Sequence, residues 1–352
     1  MTAEQAKIAI YGAGAMGTVL GALLVEGGLK NVDLITRNEE HANGLKTEGA
    51  RISCEADGKE LTVKVNALTP AELEKRKPEY DVVFLMTKQR QNKEILEFLS
   101  PYLAEDGIVC TTQNGLPEKS VAEVVGNSRT YGGVASFGAT MIGGGRVALT
   151  SKTEAMTLRV AGYKNDGEKT RLLLDILSYV SKATGNTKFA AKANDLAGAR
   201  WSKLSVNAAF SGLSVVTGLT FGEIARRGKS KKIALGVLRE CMDVADAAGV
   251  KLEEMQGCDM RELLGRRDFF RTRFALFVLP IAMKKHKKLL TGMLKDVQNG
   301  RKCEIDYVNG VVCKVGREFG VPTPLNDAIV EIVHGIENGL YEISPSNLDF
   351  IG

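Results

Sequence analysis

Short apolar runs alternate with stretches of helical spacing through the first half of the chain. The runs that favour strands are Lys7–Tyr11, Val32–Ile35, Asp81–Thr87 and Gly107–Thr112. Apolar residues recur at helical spacing in Thr18–Val25, Glu39–Leu45, Asn92–Leu99 and Lys169–Thr184. The near-continuous apolar character of Asp81–Thr87 is typical of a parallel strand buried on both faces. The alternation therefore predicts an α/β fold with a doubly wound sheet.

Further strand-like pieces interrupt this alternation. Ile52–Cys54 and Leu61–Val65 are separated by a polar turn, and we expect them to form an antiparallel excursion of the sheet. A further strand-like region runs over Thr130–Met141, and two strands are expected at Val147–Leu149 and Thr157–Val160. These strands are enough for one doubly wound domain.

The pattern changes at Ala191, from which the spacing is almost entirely helical and prolines are few. We therefore predict an N-terminal Rossmann-type domain over residues 1–190 and an all-helical C-terminal domain over residues 191–352. A length of 352 residues is comfortable for two domains.

Gly12, Gly14 and Gly17 form the pattern G-x-G-x-x-G between the first predicted strand and the first predicted helix. In a dinucleotide site, Gly12 would permit the tight turn, Gly14 would let the phosphates approach, and Gly17 would let helix pack on strand. The start of the helix, at Ala15 and Met16, would supply free backbone N–H groups for the pyrophosphate. The alternative is an ordinary glycine-rich turn in another α/β domain.

Arg37 follows the second predicted strand, where NAD sites usually carry an acidic residue and NADP sites an arginine. This position favours NADP(H), and Thr36 and Asn38 could add hydrogen bonds to the 2′-phosphate. The alternative is that Arg37 is a solvated loop residue and that Glu39 or Glu40 takes the acidic role.

Composition describes an ordinary globular protein, with 44% hydrophobic and 25% charged residues and a net charge of +5. Its basic clusters lack interleaved aromatic residues, which argues against nucleic acid as a partner. We expect no membrane span and no secretory signal, and therefore a cytoplasmic protein. The cysteines show no metal-binding spacing and predict reduced thiols rather than a zinc site or disulfides; they are Cys54, Cys110, Cys241, Cys258, Cys303 and Cys313.

Lys203 is the best candidate for a proton donor, because none of the three histidines (His41, His286 and His334) stands in a motif. Lys203, Asn207 and Ser211 are spaced four residues apart, which predicts an ammonium, an amide and a hydroxyl on one face of an apolar helix. Such groups need a buried partner or a ligand. The alternative is a lysine that reaches solvent above satisfied core polar groups.

Two polar residues lie where predicted strands end, at the edge where α/β sheets bind ligands. Lys88 follows Asp81–Thr87, which makes it a candidate to face the cofactor phosphates. The alternative is an exposed lysine at the start of a helix. Asn114 belongs to an Asn-Gly pair, which is usually just a turn, but its place makes it a candidate ligand of the nicotinamide ribose.

The chain resembles the ketopantoate reductases (2-dehydropantoate 2-reductases). The resemblance is carried in order by the glycine motif, Lys88, Gln113-Asn114-Gly115, Gly138-Ala139, Trp201 to Asn207, Met293 to Asp296, and Glu304 to Tyr307. It implies NADPH-dependent reduction of a 2-oxo acid, most directly ketopantoate to pantoate in pantothenate biosynthesis. As partners we expect a small 2-oxo acid substrate and a second copy of the chain in a homodimer. The resemblance also implies site roles: Lys203 as general acid, Asn207 as substrate ligand, Glu304 as partner of the lysine or cofactor, and Lys88, Asn114 and Ala139 as lining of the NADPH site.

The substrate region departs from the family at two positions. Ser211 stands where a second asparagine is common, and Gly292, with Thr291 beside it, stands where a substrate-binding serine precedes Met-Leu. The segment at 254–288 is also longer than the family usually carries. These departures place ketopantoate itself in doubt more than the reaction class.

Two other functions are weighed against this reading. A dehydrogenase of the related β-hydroxyacid type also places a lysine four residues before an asparagine, but the Glu304 segment argues against it. A non-catalytic NADPH-binding regulator would not need Lys203, Asn207 and Glu304 together. An accessible lysine has a pKa of about 10.4, and we expect Glu304 to offset the effect of burial so that the Lys203 ammonium persists at neutral pH.

Overall fold

The computed structural model describes residues 1–54, 56–165, 167–254 and 259–351. Cys258, and with it residues 255–258 of the long segment expected at 254–288, lie outside the described residues. The chain divides into two compact units. The first comprises Met1–Gln113 and Pro117–Leu196, and the second comprises Asn114–Leu116 and the residues from Ala197 onward.

The first unit alternates strands and helices. Its strands are β1 (Ile8–Tyr11), β2 (Val32–Ile35), β3 (Ala50–Cys54), β4 (Lys59–Val63), β5 (Asn66–Leu68), β6 (Tyr80–Leu85), β7 (Leu103–Thr111), β8 (Thr130–Ser136), β9 (Ala139–Gly143), β10 (Arg146–Leu149), β11 (Thr157–Gly162) and β12 (Ala190–Lys192). Its helices are α1 (Ala15–Glu26), α2 (Glu39–Thr47), α3 (Pro70–Arg76), α4 (Asn92–Leu99), α5 (Glu118–Val125) and α6 (Thr170–Thr184).

Eight strands form the main sheet in the order β12-β11-β8-β7-β6-β1-β2-β5. The six neighbouring strands β5, β2, β1, β6, β7 and β8 all run parallel. The next strand, β11, pairs with β8 in the antiparallel sense. Alternate residues of β1 belong to different cores: Ile8 and Ile10 join the core that includes α1 and α6, whereas Ala9 and Tyr11 join the core that includes α3, α4 and α5. The sheet is therefore covered by helices on both faces, and the predicted doubly wound fold is confirmed.

A second sheet of four strands, in the order β4-β3-β10-β9, lies beside α1. The β3–β4 hairpin belongs to this sheet, so the expected excursion of the main sheet is wrong. The strand-like region expected over Thr130–Met141 contains two strands, since β8 stays in the main sheet and β9 crosses to the second one. Hydrophobic spacing predicts strands but not their partners, and β3 pairs with β10 across more than ninety positions of sequence.

His41, buried on α2, links this helix to α1 and to the turn between β9 and β10 of the second sheet. Its Nδ1 accepts the N–H of Gly145 at 3.2 Å, so the proton lies on Nε2, which is 2.9 Å from the Thr18 hydroxyl of α1. Burial lowers the pKa of His41, which favours this neutral form. Next to it, a Cβ on Gly44 would lie 2.1 Å from the carbonyl carbon of Gly144, so the two backbones touch.

The second unit contains helices joined by loops and no strand among its described residues, in agreement with the predicted helical C-terminal domain. Its helices are α7 (Leu196–Asn207), α8 (Leu213–Thr217), α9 (Phe221–Arg226), α10 (Gly228–Ala247), α11 (Met260–Leu264), α12 (Phe269–Ala282), α13 (Gly292–Gln298), α14 (Ile305–Glu318) and α15 (Pro324–Glu337). The helical pattern expected from Ala191 begins only at Leu196, because Ala190–Lys192 pairs with β11 as an edge strand. The described part of the chain contains no helix long and apolar enough to cross a membrane.

Candidate active site

The glycine turn follows β1 and is held against the neighbouring strands. Gly12 has φ of 95°, and a Cβ there would lie 2.7 Å from the Thr87 nitrogen, so only glycine fits. Gly17 is equally enclosed, with 2.5 Å from its ideal Cβ to the Gly12 oxygen. At Gly14 the nearest atom to a Cβ is 3.9 Å away. Packing within the protein therefore requires two of the three glycines, and space remains at the third.

Helix α1 starts directly at this turn. The first bond of the helical pattern runs from the Thr18 N–H to the Gly14 oxygen at 2.9 Å. The N–H groups of Ala15, Met16 and Gly17 precede it and point out of the first turn, where the positive end of the helix dipole attracts anions. The turn thus has both the space and the donors that a phosphate requires.

Arg37 is exposed after β2 and makes no ion pair with a described residue. It lies close enough to Tyr11, the last residue of β1, to oppose the rise that burial causes in the pKa of the Tyr11 hydroxyl. Asn38 is less available than predicted, because its side chain caps α2 by accepting the His41 N–H at 2.9 Å. The Thr36 hydroxyl accepts the Asn38 N–H at 3.3 Å. Arg37 is thus the cation that the strand end presents.

The other residues predicted to line a cofactor site lie in different settings. Lys88 is exposed just after β6, next to the Met86–Thr87 backbone that encloses Gly12. Ala139 is half-buried at the start of β9, in the second sheet that packs on α1. Asn114 is exposed and belongs to the second unit.

Gln113 anchors a polar cluster that sequence reasoning did not single out. Its side chain exchanges two hydrogen bonds with the Asn92 amide, of 2.7 and 3.1 Å, and binds the hydroxyls of Thr87 and Thr111. The ends of β6 and β7 and the start of α4 are therefore tied together beside the glycine turn.

Lys203 lies on α7, whose neighbouring residues Trp201 and Leu204 are buried in the core of the second unit. Burial and the Arg200 guanidinium lower the pKa of Lys203 to about 7, and Glu304, just before α14, acts in the opposite direction. Glu304 therefore acts in the expected direction but offsets only part of the effect of burial, so the expectation that the ammonium form stays dominant at neutral pH is wrong. The lysine therefore exchanges a proton near neutral pH, as a general acid must.

Asn207 and Ser211 follow Lys203, and neither side chain makes a hydrogen bond to a described residue. The Ser211 side chain is nevertheless buried, with only 6% of the residue exposed. The expected even spacing is broken after Asn207, because Ala208–Gly212 forms a π-helical turn. Such a turn holds more residues than an α-helical turn, so the predicted α-helical spacing does not extend from Asn207 to Ser211. The two groups remain polar and available for a ligand.

Helix α13 packs against this π-helical turn. The buried Thr291 hydroxyl caps α13 by accepting the Met293 N–H at 3.3 Å. Gly292 is exposed, and no atom lies within 4 Å of a Cβ built on it. A serine would therefore fit at this position without displacing any neighbour.

A buried polar network supports the π-helical turn from behind. Asn309 of α14 donates to the Ala208 carbonyl at 3.0 Å and to Asn326 of α15 at 2.9 Å. Asn326 in turn donates to Glu240 of α10 at 2.7 Å. Sequence reasoning missed these residues, although a polar Asn309 on the apolar stripe of α14 is the same signal that identified Asn207.

Comparison with known families shows which kind of protein carries both the glycine turn and the polar region around Lys203. A model described as ketopantoate reductase PanE/ApbA matches residues 8–160, and one described as ketopantoate reductase PanE/ApbA C terminal matches residues 195–337. The chain belongs to the ketopantoate reductase family. The predicted resemblance is confirmed, and with it the class of oxidoreductases that act on a CH–OH group.

Curated relatives of this ketopantoate reductase family member extend over almost its whole length. The 2-dehydropantoate 2-reductase of Lactococcus lactis is 27% identical, covering 94% of this chain and 98% of its own. That of Archaeoglobus fulgidus is 24% identical, covering 95% and 99%.

Solved structures share the fold. A ternary structure of D-mandelate dehydrogenase with NADH and anilino(oxo)acetate has a TM-score of 0.79 at 25% identity and covers 95% of this chain and 99% of its own. A family member from Ralstonia eutropha has a TM-score of 0.77 at 23% identity and covers the same shares.

The glycine geometry generates a stability prediction. We expect Gly17→Ala to lower the thermal midpoint markedly, because its Cβ must displace the Gly12 backbone, whereas Gly14→Ala should leave the midpoint unchanged. Differential scanning calorimetry of both variants checks this. Equal destabilisation by the two substitutions would show that Gly14 is also required for packing.

Proposed function

We propose that the protein reduces a 2-oxo acid to the 2-hydroxy acid with NADPH, and that ketopantoate is the substrate it reduces to pantoate. The observation that carries the proposal is the setting of Lys203. A lysine whose pKa is lowered to about 7 lies one turn before an asparagine that makes no hydrogen bond to a described residue. The names of the curated relatives supply the substrate.

The glycine turn supports a dinucleotide at β1 and α1. Gly14 leaves space for a phosphate, and Gly12 and Gly17 keep the turn closed behind it. When bound there, a reduced nicotinamide would supply the hydride. Arg37 would bind the 2′-phosphate as a bidentate donor, and Lys88, Asn114 and Ala139 would line the remaining cofactor site.

Lys203 would donate its proton to the substrate oxygen as negative charge develops there. A cation at that position lowers the barrier more than it tightens ground-state binding, because the charge exists only in the transition state. Asn207 and Ser211 would hydrogen-bond the substrate, with Thr291 and Gly292 beside them at the start of α13. Glu304 would keep the Lys203 ammonium populated, since it raises the pKa of that lysine.

A second candidate is the reduction of a different 2-oxo acid with NADH. It is favoured by the likeness to D-mandelate dehydrogenase, which was solved with NADH and an aromatic 2-oxo acid analogue. Steady-state rates with ketopantoate and a phenyl-substituted 2-oxo acid, each with NADPH and with NADH, distinguish the two. A homodimer and a cytoplasmic location stay predictions.

The first functional prediction concerns Lys203. Lys203→Ala should lose about 10² to 10⁴ in kcat, the range of general acid catalysis, with NADPH affinity nearly intact. Lys203→Arg should stay impaired, because a guanidinium does not release a proton near neutral pH. Lys203→Met should raise the thermal midpoint, because it removes a charge that burial disfavours. Stopped-flow kinetics and calorimetry measure these effects.

The pH dependence gives a sharper test of the same residue. The donor must be protonated, so kcat/KM should fall as pH rises through the free-enzyme pKa of about 7. Glu304→Gln should move this fall to lower pH, because the carboxylate that raises the pKa is lost. Asp306→Asn, an exposed neighbour paired with His334, is the matched control and should leave the profile in place. A near-normal kcat in Lys203→Ala contradicts the proposed role.

Arg37→Asp tests the cofactor. We expect a higher KM for NADPH and little change for NADH, because only NADPH carries the 2′-phosphate. Gly14→Ala, which should keep its thermal stability, is expected to weaken both cofactors alike. Unchanged discrimination in Arg37→Asp would show that the phosphate is held elsewhere.

The substrate region is tested by Gly292→Ser combined with Ser211→Asn. If these positions reflect another substrate, restoring the family residues should increase ketopantoate turnover, and the open space at Gly292 accommodates the serine. Rates with a panel of 2-oxo acids measure the change. Ketopantoate turnover by the unmodified protein equal to that of its best substrate would refute the idea of an altered substrate.

A further inference from the structure

Helix α12 presents an aromatic face to solvent. Its exposed residues Phe270, Phe274, Phe277 and Ile281 recur at spacings of four, three and four, which places them on one side of the helix. Phe270 is 81% exposed and Phe277 is 70% exposed. Large apolar side chains in such numbers on one helix face mark an interaction surface.

The opposite side of α12 already packs within the second unit. Ala275 and Leu279 are buried there, together with Met283 just beyond the helix. A helix that is apolar on both sides is normally enclosed on both sides. The exposed face is therefore not a by-product of core packing.

Basic residues flank this aromatic face at both ends. Over residues 266–290 the exposed cations are Arg266, Arg267, Arg271, Arg273, Lys284, Lys285, Lys287 and Lys288, and Asp268 is the one acidic residue. The Asp243 carboxylate of α10 pairs with Arg267 and compensates its charge. The lysine-rich end is held in place, because the carbonyls of Lys287 and Leu289 accept the N–H groups of Gly222 and Phe221 at the start of α9. Leu289 and Leu290 are also exposed.

The charges decide between a second copy of the chain and another occupant. If two α12 faces met in the parallel sense, each basic end would face its own equivalent. In the antiparallel sense, Arg271 and Arg273 would face the lysine-rich end of the other copy. Both arrangements oppose like charges, which disfavours self-association.

We infer that the α12 face docks on an anionic phospholipid surface, with the phenylalanine rings at the acyl boundary and the flanking cations at the phosphates. Interfacial helices combine aromatic and leucine residues with lysine and arginine in this way. Each cation near an anionic leaflet changes the partitioning by about fivefold. The helix lies on the surface and does not span it, and the inference is independent of the proposed reaction.

Flotation with lipid vesicles tests the inference on the full chain. The protein should float with vesicles of phosphatidylcholine and phosphatidylglycerol and stay behind with phosphatidylcholine alone or at high salt. Phe270→Ser with Phe274→Ser and Phe277→Ser should abolish flotation. Lys284→Glu with Lys285→Glu and Lys288→Glu should weaken it by at least a hundredfold, at about fivefold for each lost cation.

Matched controls use residues elsewhere on the surface. Leu340→Ser removes an equally exposed apolar side chain, and Lys30→Glu, Lys64→Glu and Lys93→Glu make the same charge change; neither control should alter flotation. All variants are expected to fold, because the substituted side chains are exposed. Their thermal midpoints check this. If the protein does not float with anionic vesicles, the inference is wrong, and sedimentation then shows whether the phenylalanine variant dissociates a dimer and the face joins two copies. Equal loss of flotation in the charge controls would also overturn it.

Discussion

The desolvation of the Lys203 ammonium is the constraint on which the helical unit depends. Trp201 and Leu204 place α7 in the core, and the lysine between them cannot be fully hydrated. The buried Arg200 adds to this cost, and Glu304 relieves only part of it, so the pKa of Lys203 is lowered to about 7. A lysine that titrates near neutral pH is thus obtained at the expense of folding stability, as is common at functional sites.

The structure around this lysine is arranged to keep its neighbours polar without satisfying them. The π-helical turn would be costly if its carbonyls were left alone in the core, and Asn309 supplies a donor to Ala208. Glu240 holds Asn326, and Asn326 holds Asn309, so three helices fix the turn that follows Asn207. Asn207 and Ser211 remain outside this network, which distinguishes the polar groups that build the fold from those available to a ligand.

Most strands and helices and the glycine turn could be predicted from the sequence, because they depend on local sterics and on the spacing of apolar residues. The glycine turn follows from spacing alone, and the structure shows the contacts that Gly12 and Gly17 leave room for. The π-helical turn could not be predicted, since an extra residue in one turn leaves no mark on a pattern read at helical period. The pKa of Lys203 also depends on Arg200 and Glu304 together, and their balance is set by packing rather than by spacing. The apolar pattern of α12 similarly predicts a helix but not which of its sides the core covers.

The backbone contact between Gly44 and the Gly144–Gly145 pair links two parts of the chain that are about a hundred positions apart. A Cβ on Gly44 would meet the Gly144 carbonyl carbon at 2.1 Å, and a Cβ on Gly145 would meet the Gly44 carbonyl carbon at 2.7 Å, so neither glycine accepts a side chain unless the two backbones move apart. Mutational drift in α2 and in the β9–β10 turn is therefore coupled. Any change would have to begin with a shift of the whole helix relative to the second sheet. The contact thus constrains both segments independently of what the protein binds.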